Sequence, residues 1–334
     1  MNNVFITGGA GFVGSHCVIS LVKNGYKPII LDNFSNSSQN IIKKLEIITN
    51  KKITFYKVDL RNKKKLNSIF KKHKCHCVIH CAGFKSVGES VKKPISYFDN
   101  NIASTLSLLE CMEENKVFKI VFSSSCTVYD DTQPLPWQET AKIGNTKSPY
   151  GTSKYIVERI LMDLVKFDNK WSVRIARYFN AISNHSSGLI KENSKGIPHF
   201  LIPYIIKVAV KELPILKVFG KDYKTKDGTC IRDFIHVMDL ADGHISMIKN
   251  NRLKKGLKVY NFGTGKGLSV LEIVKVFEKQ TGIPISFRFE KRRKGDVAAS
   301  FCSSKKAFKE LNWKIKYDLN QAMVDIKKII YKKS

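Results

Sequence analysis

The stretch Val4-Phe5-Ile6-Thr7-Gly8-Gly9-Ala10-Gly11-Phe12-Val13-Gly14 decides the fold. A short apolar run of strand character leads straight into glycines at 8, 11 and 14, and residues 14–24 follow with helical spacing. Those glycines permit a tight turn, close backbone approach to a pyrophosphate, and close packing of helix on strand. The helix N-terminus, entered through Phe12 and Val13, then faces the phosphate charge. Glycine-rich turns are common, so the pattern gains its meaning from position. It follows the first strand, and Asp32 ends the second. A carboxylate there accepts hydrogen bonds from an adenosine ribose and repels a 2′-phosphate, which favours NAD over NADP; an N-cap or turn role is the alternative.

Outward from this loop, apolar runs at 4–7, 28–31, 53–57, 77–80, 120–123 and 173–177 read as strands. Residues 14–24, 39–48, 65–72, 102–114 and 149–167 read as helices by apolar spacing and capping. Six strands joined by right-handed crossovers predict an α/β fold, a doubly wound parallel sheet of Rossmann type. Its ligand crevice lies at the carboxyl ends of the strands. After Asn180 the rhythm breaks, with Pro198, Pro203, Pro214 and a polar stretch at 221–229. The expected division is an NAD-binding domain at 1–180 and a smaller mixed α/β substrate lobe at 181–334. Some interleaving of the chain is expected, with the active site between the two.

Composition sets the outer bounds. The 334 residues are 43% hydrophobic and 10% aromatic, enough for a sizeable core. No segment approaches the roughly 18 consecutive apolar residues of a membrane span. Met1-Asn2-Asn3 runs directly into the first strand, so no signal peptide is expected and the cytosol is the expected compartment. The 58 basic and 28 acidic residues leave a net charge of +30. Such a charge suits a nucleic-acid or membrane surface, but the lysines are scattered in short runs such as 63–65, 254–255 and 291–294. Without aromatic interleaving, a solvated lysine-rich surface is the favoured reading, with no nucleic-acid or membrane partner. Eight cysteines without a CxxC pair read as free thiols. His73, Cys75, His76, Cys77, His80 and Cys81 have metal-ligand types, yet strand alternation throws them to opposite faces, so no metal is expected.

Tyr150-Gly151-Thr152-Ser153-Lys154 carries the chemistry. Four residues apart at the start of a helix, the phenol and the ammonium share one face. A free tyrosine, with a pKa of about 10, is a poor base at neutral pH. The neighbouring ammonium and a nicotinamide's positive charge are expected to favour phenolate. Ser125, ending the fifth strand, offers a hydroxyl to the reacting oxygen. Asn100 opens the preceding helix, and Cys81-Ala82-Gly83 leaves space for the cofactor. Ser125, Tyr150 and Lys154 read together as a catalytic triad.

The GxxGxxG spacing and the YxxxK motif resemble the extended short-chain dehydrogenase/reductase superfamily. Over nearly the full length the chain resembles the UDP-glucose 4-epimerase family. The matching stretches include AGFKSVGES at 82–90, SSSCTVY at 123–129, RYFN at 177–180 and IRDFIHVMDL at 231–240. The resemblance implies an NAD-dependent isomerase, a homodimer joined through helices near 102–114 and 155–167. Its reaction interconverts UDP-glucose and UDP-galactose at sugar C4 through a 4-keto intermediate, with NAD bound throughout. It implies cofactor contacts at Gly8, Gly11, Phe12, Val13, Gly14, Asp32, Asn33, Ser35, Asn36, Ser37, Asp59, Leu60, Cys81, Ala82, Gly83, Lys85, Asn100, Tyr178 and Phe179. Substrate contacts are implied at Lys85, Ser125, Tyr150, Asn180, Leu201, Phe219, Arg232, Arg293, Asp296 and Ser300.

Asp130, Phe200 and Lys217 depart from the family pattern. Ser300 stands where relatives carry either tyrosine or a small residue, and a small side chain there goes with room for an N-acetylated sugar. The related nucleotide-sugar 4,6-dehydratases place an Asp-Glu pair after the catalytic hydroxyl, and the related decarboxylases keep an acid there. This chain has Cys126 and Thr127, which supply neither acid nor base. Those two activities, and a non-catalytic NAD-binding protein, are the alternatives.

Overall fold

The computed structural model describes residues 2–192, 198–249, 255–293 and 295–331. Lys254, Lys294 and residues 332–334 lie outside the described residues.

Alternation along the first strand organises the large layer. In β1 (Asn3–Thr7), Val4 and Ile6 point to one face and Phe5 to the other, and all three are fully buried. A strand buried on both faces must be covered by helices on both. The strands β2 (Lys27–Asp32), β3 (Thr54–Lys57), β4 (Cys75–His80), β5 (Lys119–Ser125) and β6 (Ser172–Tyr178) build outward from β1. Every pairing in this sheet is parallel.

The sheet has seven strands, one more than the six predicted from the sequence. The seventh, Gly256–Phe262, pairs in parallel with β6 along its whole length. It lies far in sequence from the strand it joins, so no local pattern announces the pairing. Helix Val237–Lys249 also returns to the large layer and packs on α1 (Phe12–Lys23). The order along the sheet places β1 between β2 and β4, so the crossovers diverge there and open a crevice at their carboxyl ends.

The smaller lobe holds a sheet in which Ile231–His236 is flanked by Gly267–Ser269 and Ala299–Ser300 and also pairs with Asn180–Ile182. A two-stranded piece joins Leu216–Phe219 to Phe287–Glu290. Ile202, Ile205, Leu216, Phe234, Phe277, Met323 and Ile326 form its core. Among the described residues, no helix is long and apolar enough to cross a membrane.

Candidate active site

Gly8 adopts φ +65°, donates its N–H to Leu31 O at 2.8 Å, and accepts from Gly11 N at 3.0 Å. A Cβ at Gly8 would sit 2.7 Å from Ala82 N, and one at Gly14 would collide with the Gly8 carbonyl. Helix α1 begins after Gly11 with no side-chain cap and no acidic residue in its first turn. Its first N–H groups are thus left for an external anion. These features fit a dinucleotide pyrophosphate.

Asp32 is buried at the end of β2, where its two oxygens accept from Ala10 N at 3.0 Å, Phe34 N at 2.8 Å and Ser37 Oγ at 3.0 Å. Asn33 donates to Asp59 at 3.1 Å, and Arg61 beside Asp59 holds that carboxyl well below its usual range. These groups rim a cleft of about 350 Å³. The cleft is lined by Gly8, Gly11, Phe12, Val13, Gly14, Asp32, Asn33, Ser35, Asn36, Ser37, Asp59, Leu60, Cys81, Ala82, Gly83, Lys85, Asn100 and Tyr178. Phe179 is placed elsewhere: successive strand residues face opposite ways, and its ring is buried with Tyr129, Trp137 and Cys302. Ile190, Lys191 and Glu192 also line the cleft, although no motif marks them. Glu192 pairs with Lys85, whose ammonium also lies 4.7 Å from the Phe200 ring centre.

Asn101 likewise carries no sequence signal. Its side chain bonds both the N–H and the C=O of Phe84, at 2.8 and 3.1 Å, and reaches Ser153 Oγ at 2.9 Å. It thereby ties the loop after β4 to α7 (Pro149–Phe167). Neighbouring Asn100 is the one that faces the cleft.

Ser148 caps α7, accepting from Gly151 N at 3.2 Å, and Pro149 opens its first turn. Tyr150 and Lys154 therefore lie on the first two turns, both buried and both lining the cleft. Burial pushes the Tyr150 phenol up to about 12, opposed by a hydrogen bond with Ser125. Lys154 takes a different direction from the one expected. Its ammonium donates to Ser123 O at 2.8 Å and sits 4.8 Å from the Phe122 ring centre, and burial lowers its pKa to about 8. A desolvated ammonium seeks an acceptor, and the β5 carbonyl is the one it finds. The hydrogen bond with Ser125 favours the Tyr150 phenolate.

Of the expected substrate residues, Arg232 lies on Ile231–His236, and Ser300 and Asn180 lie on strands paired with it. Arg232 lies 3.6 Å from Asp296 and donates to Val297 O at 2.8 Å. Ser300 pairs in register with Arg232, is buried, and points its hydroxyl at Cys126 Sγ, 3.8 Å away. The Arg293 guanidinium lies 3.8 Å over the Phe219 ring and donates to His199 O at 3.2 Å. Asn180 pairs with Phe234, and Leu201 begins the helix Leu201–Ala209. Of the departures, Asp130 accepts from Thr132 Oγ1 at 2.8 Å, and Lys217 lies 3.9 Å from Glu290. The ligand-type residues of β4 are engaged separately. His80 bridges Thr7 and Thr105 at 2.7 and 2.9 Å, while His73 meets Tyr56 at 2.7 Å.

The profile of the NAD dependent epimerase/dehydratase family matches residues 4–263. The UDP-glucose 4-epimerase of Dictyostelium discoideum is 50% identical over 314 residues, covering 94% of this chain and 91% of the relative. That of Neisseria meningitidis serogroup C is 48% identical over 325 residues, covering 97% and 96%. The crystal structure of UDP-glucose 4-epimerase from Bifidobacterium longum in complex with NAD+ and UDP superimposes with a TM-score of 0.97. Its identity is 46%, covering 99% of this chain and 98% of that one. The resemblance read from the sequence holds at every level compared, and the chain belongs to the NAD dependent epimerase/dehydratase family.

Proposed function

We propose that this protein interconverts UDP-glucose and UDP-galactose by inverting the configuration at sugar C4. The observation that carries this reading is that Tyr150 and Lys154 line the glycine-loop cleft, with Ser125 hydrogen-bonded to Tyr150 and followed by Cys126 and Thr127. The residues of the cleft fit NAD, which supplies the hydride acceptor and donor when bound. Tyr150 removes the proton from the C4 hydroxyl and returns it after the sugar has presented its other face. Ser125 hydrogen-bonds Tyr150 and steadies its phenolate. Lys154, anchored on Ser123 O, supplies fixed positive charge near the reacting centre. Arg232 and Arg293 offer guanidinium groups to the UDP pyrophosphate, and Asp296 offers a carboxylate to ribose hydroxyls. Dehydration would require a carboxyl acid and base after Ser125. Here the Thr127 hydroxyl donates to Ser125, and Cys126 faces Ser300.

The test is to incubate the purified protein with UDP-galactose, without added cofactor, and separate the UDP-hexoses. Appearance of UDP-glucose supports the reading; none, even with NAD added, overturns it. The small Ser300 side chain supports UDP-N-acetylglucosamine and its galactosamine epimer as further substrates, and no turnover of either removes that extension. We assign the protein to the cytosol, in keeping with eight unpaired thiols. We also assign it a homodimer. Ile95, 81% exposed, stands on the helix Pro94–Phe98 that packs on α7, and α7 itself ends in Phe167, 79% exposed. Sedimentation at a monomer mass would exclude the dimer.

A further inference from the structure

The Lys85 ammonium joins the two lobes at the cleft, and side chains from three separate segments surround it. Its Nζ donates to Glu192 Oε1. The Phe12 ring, at the first position of α1, is centred 5.5 Å from Nζ. The Phe200 ring, at the N-cap of the helix Leu201–Ala209, is centred 4.7 Å from it. A carboxylate and aromatic faces are the groups that hold an ammonium when part of its water shell is removed. Lys85, Phe12 and Glu192 all line the cleft.

The segment that carries Glu192 is itself held down. The His185 N–H donates to His16 Nε2 on α1 at 3.0 Å, and the Leu189 N–H donates to Ser187 Oγ at 3.2 Å. Ile190 is fully buried in the apolar cluster that contains Val4, Ile6 and Val18. An isolated surface ion pair contributes little, because two long side chains must be fixed in water. Here the Glu192 side chain is only 14% exposed and Lys85 45%, and the backbone behind the carboxylate is already anchored. Less entropy is therefore lost in closing this pair, while enough water reaches it for salt to compete. Phe200 departs from the family pattern, so its contact with Lys85 is this chain's own.

We propose that Glu192 and Phe200 are positioning residues that hold Lys85 as a latch across the cleft, and that the latch slows release of the bound dinucleotide. The inference rests on the reading of the cleft as the NAD site. The latch ties the loop after β4 to segment 188–192, and opening it requires the ammonium to leave both the carboxylate and the ring. A cofactor that returns to its starting state in every turnover has no need to exchange, so slow release keeps the protein loaded between turnovers.

The test loads the full-length protein with radiolabelled NAD, removes free nucleotide by gel filtration, and follows loss of label under excess unlabelled NAD. Release should accelerate about 5- to 10-fold in Glu192→Gln. In Phe200→Leu it should accelerate about 2- to 5-fold. Placed in a Lys85→Met background, Glu192→Gln should add no further acceleration, a coupling that a merely structural role would not produce. Added potassium chloride should speed release from the wild type more than from Glu192→Gln. A protein that takes up no label overturns the cofactor reading together with the latch. Label that is bound but leaves Glu192→Gln at or below the wild-type rate, or equal acceleration with and without Lys85, overturns the latch alone. Should Glu192→Gln fail to fold, Phe200→Leu and the salt dependence of the wild type decide.

Discussion

Thr127 donates to Ser125 Oγ twice, from its hydroxyl at 3.0 Å and from its backbone N–H at 3.2 Å. With both acceptor positions of Ser125 filled, its own proton is directed away from Thr127, towards Tyr150. Thr127 is thereby a positioning residue for the Ser125 hydroxyl. Thr127→Val keeps the shape and removes one donor, so kcat should fall about 5- to 20-fold, in line with about 1–2 kcal/mol for such a bond. KM for UDP-galactose should stay within a factor of two or so, and Thr127→Ser should restore the rate. Steady-state kinetics on the three proteins check this; a change in KM alone would contradict it.

Tyr150→Phe removes the phenol to which we assign the proton transfer. The rate should fall by about 10²–10⁴, while nucleotide released on denaturation shows unchanged cofactor content. Ser125→Ala removes the hydrogen bond that lowers the Tyr150 pKa. Because the phenolate is the active form, the pH–rate profile of Ser125→Ala should move to higher pH. An unmoved profile would separate Ser125 from the ionisation of Tyr150.

Gly14→Ala places a methyl group against the Gly8 carbonyl, within the loop's own backbone. Overpacking of this kind costs about 1–3 kcal/mol. The variant should melt several degrees lower and purify with little bound NAD, as thermal unfolding and nucleotide assay will show.

The Glu158–Arg177 pair is fully buried between α7 and β6, with Nη2 to Oε2 at 2.7 Å. Glu158 also accepts from Ser124 on β5, so it fixes the Tyr150 helix against the strand that carries Ser125. Arg177→Met strands a buried carboxylate and should cost about 3–5 kcal/mol. Glu158→Leu combined with Arg177→Met should recover part of that loss in urea titrations.

Acid should destabilise the protein through its buried histidines. Burial lowers His16 and His80 to about 3, and His236 and His244 to about 4. Unfolded histidines titrate near 6.5, so between pH 6.5 and 4 the unfolded chain binds more protons, and stability falls as pH falls. Asp239, raised to about 6 by burial, opposes this by about one proton. Unfolding at pH 5 should therefore take up about three protons net from these five groups, measurable as the slope of unfolding free energy against pH.

The large sheet's first six strands were legible because strand alternation and glycine punctuation are local signals. The seventh strand was not, since Gly256–Phe262 earns its place only by pairing with Ser172–Tyr178. Tyr150, Lys154 and the glycine loop were legible because helical geometry links residues four apart and a tight turn needs glycine. Their surroundings were not. Asn101, Ile190 and Glu192 reach the site from remote segments. Phe179 turned inward because strand geometry alternates its side with that of Tyr178.

By itself the sequence determined the doubly wound sheet, the tight glycine turn, and the sharing of one helix face by Tyr150 and Lys154, all set by interactions within a few residues. Only the tertiary structure decided where the Lys154 ammonium is satisfied and which hydroxyl favours the Tyr150 phenolate. Those outcomes depend on burial and on acceptors brought together from distant segments, and desolvation is a property of the packed molecule rather than of any stretch of chain.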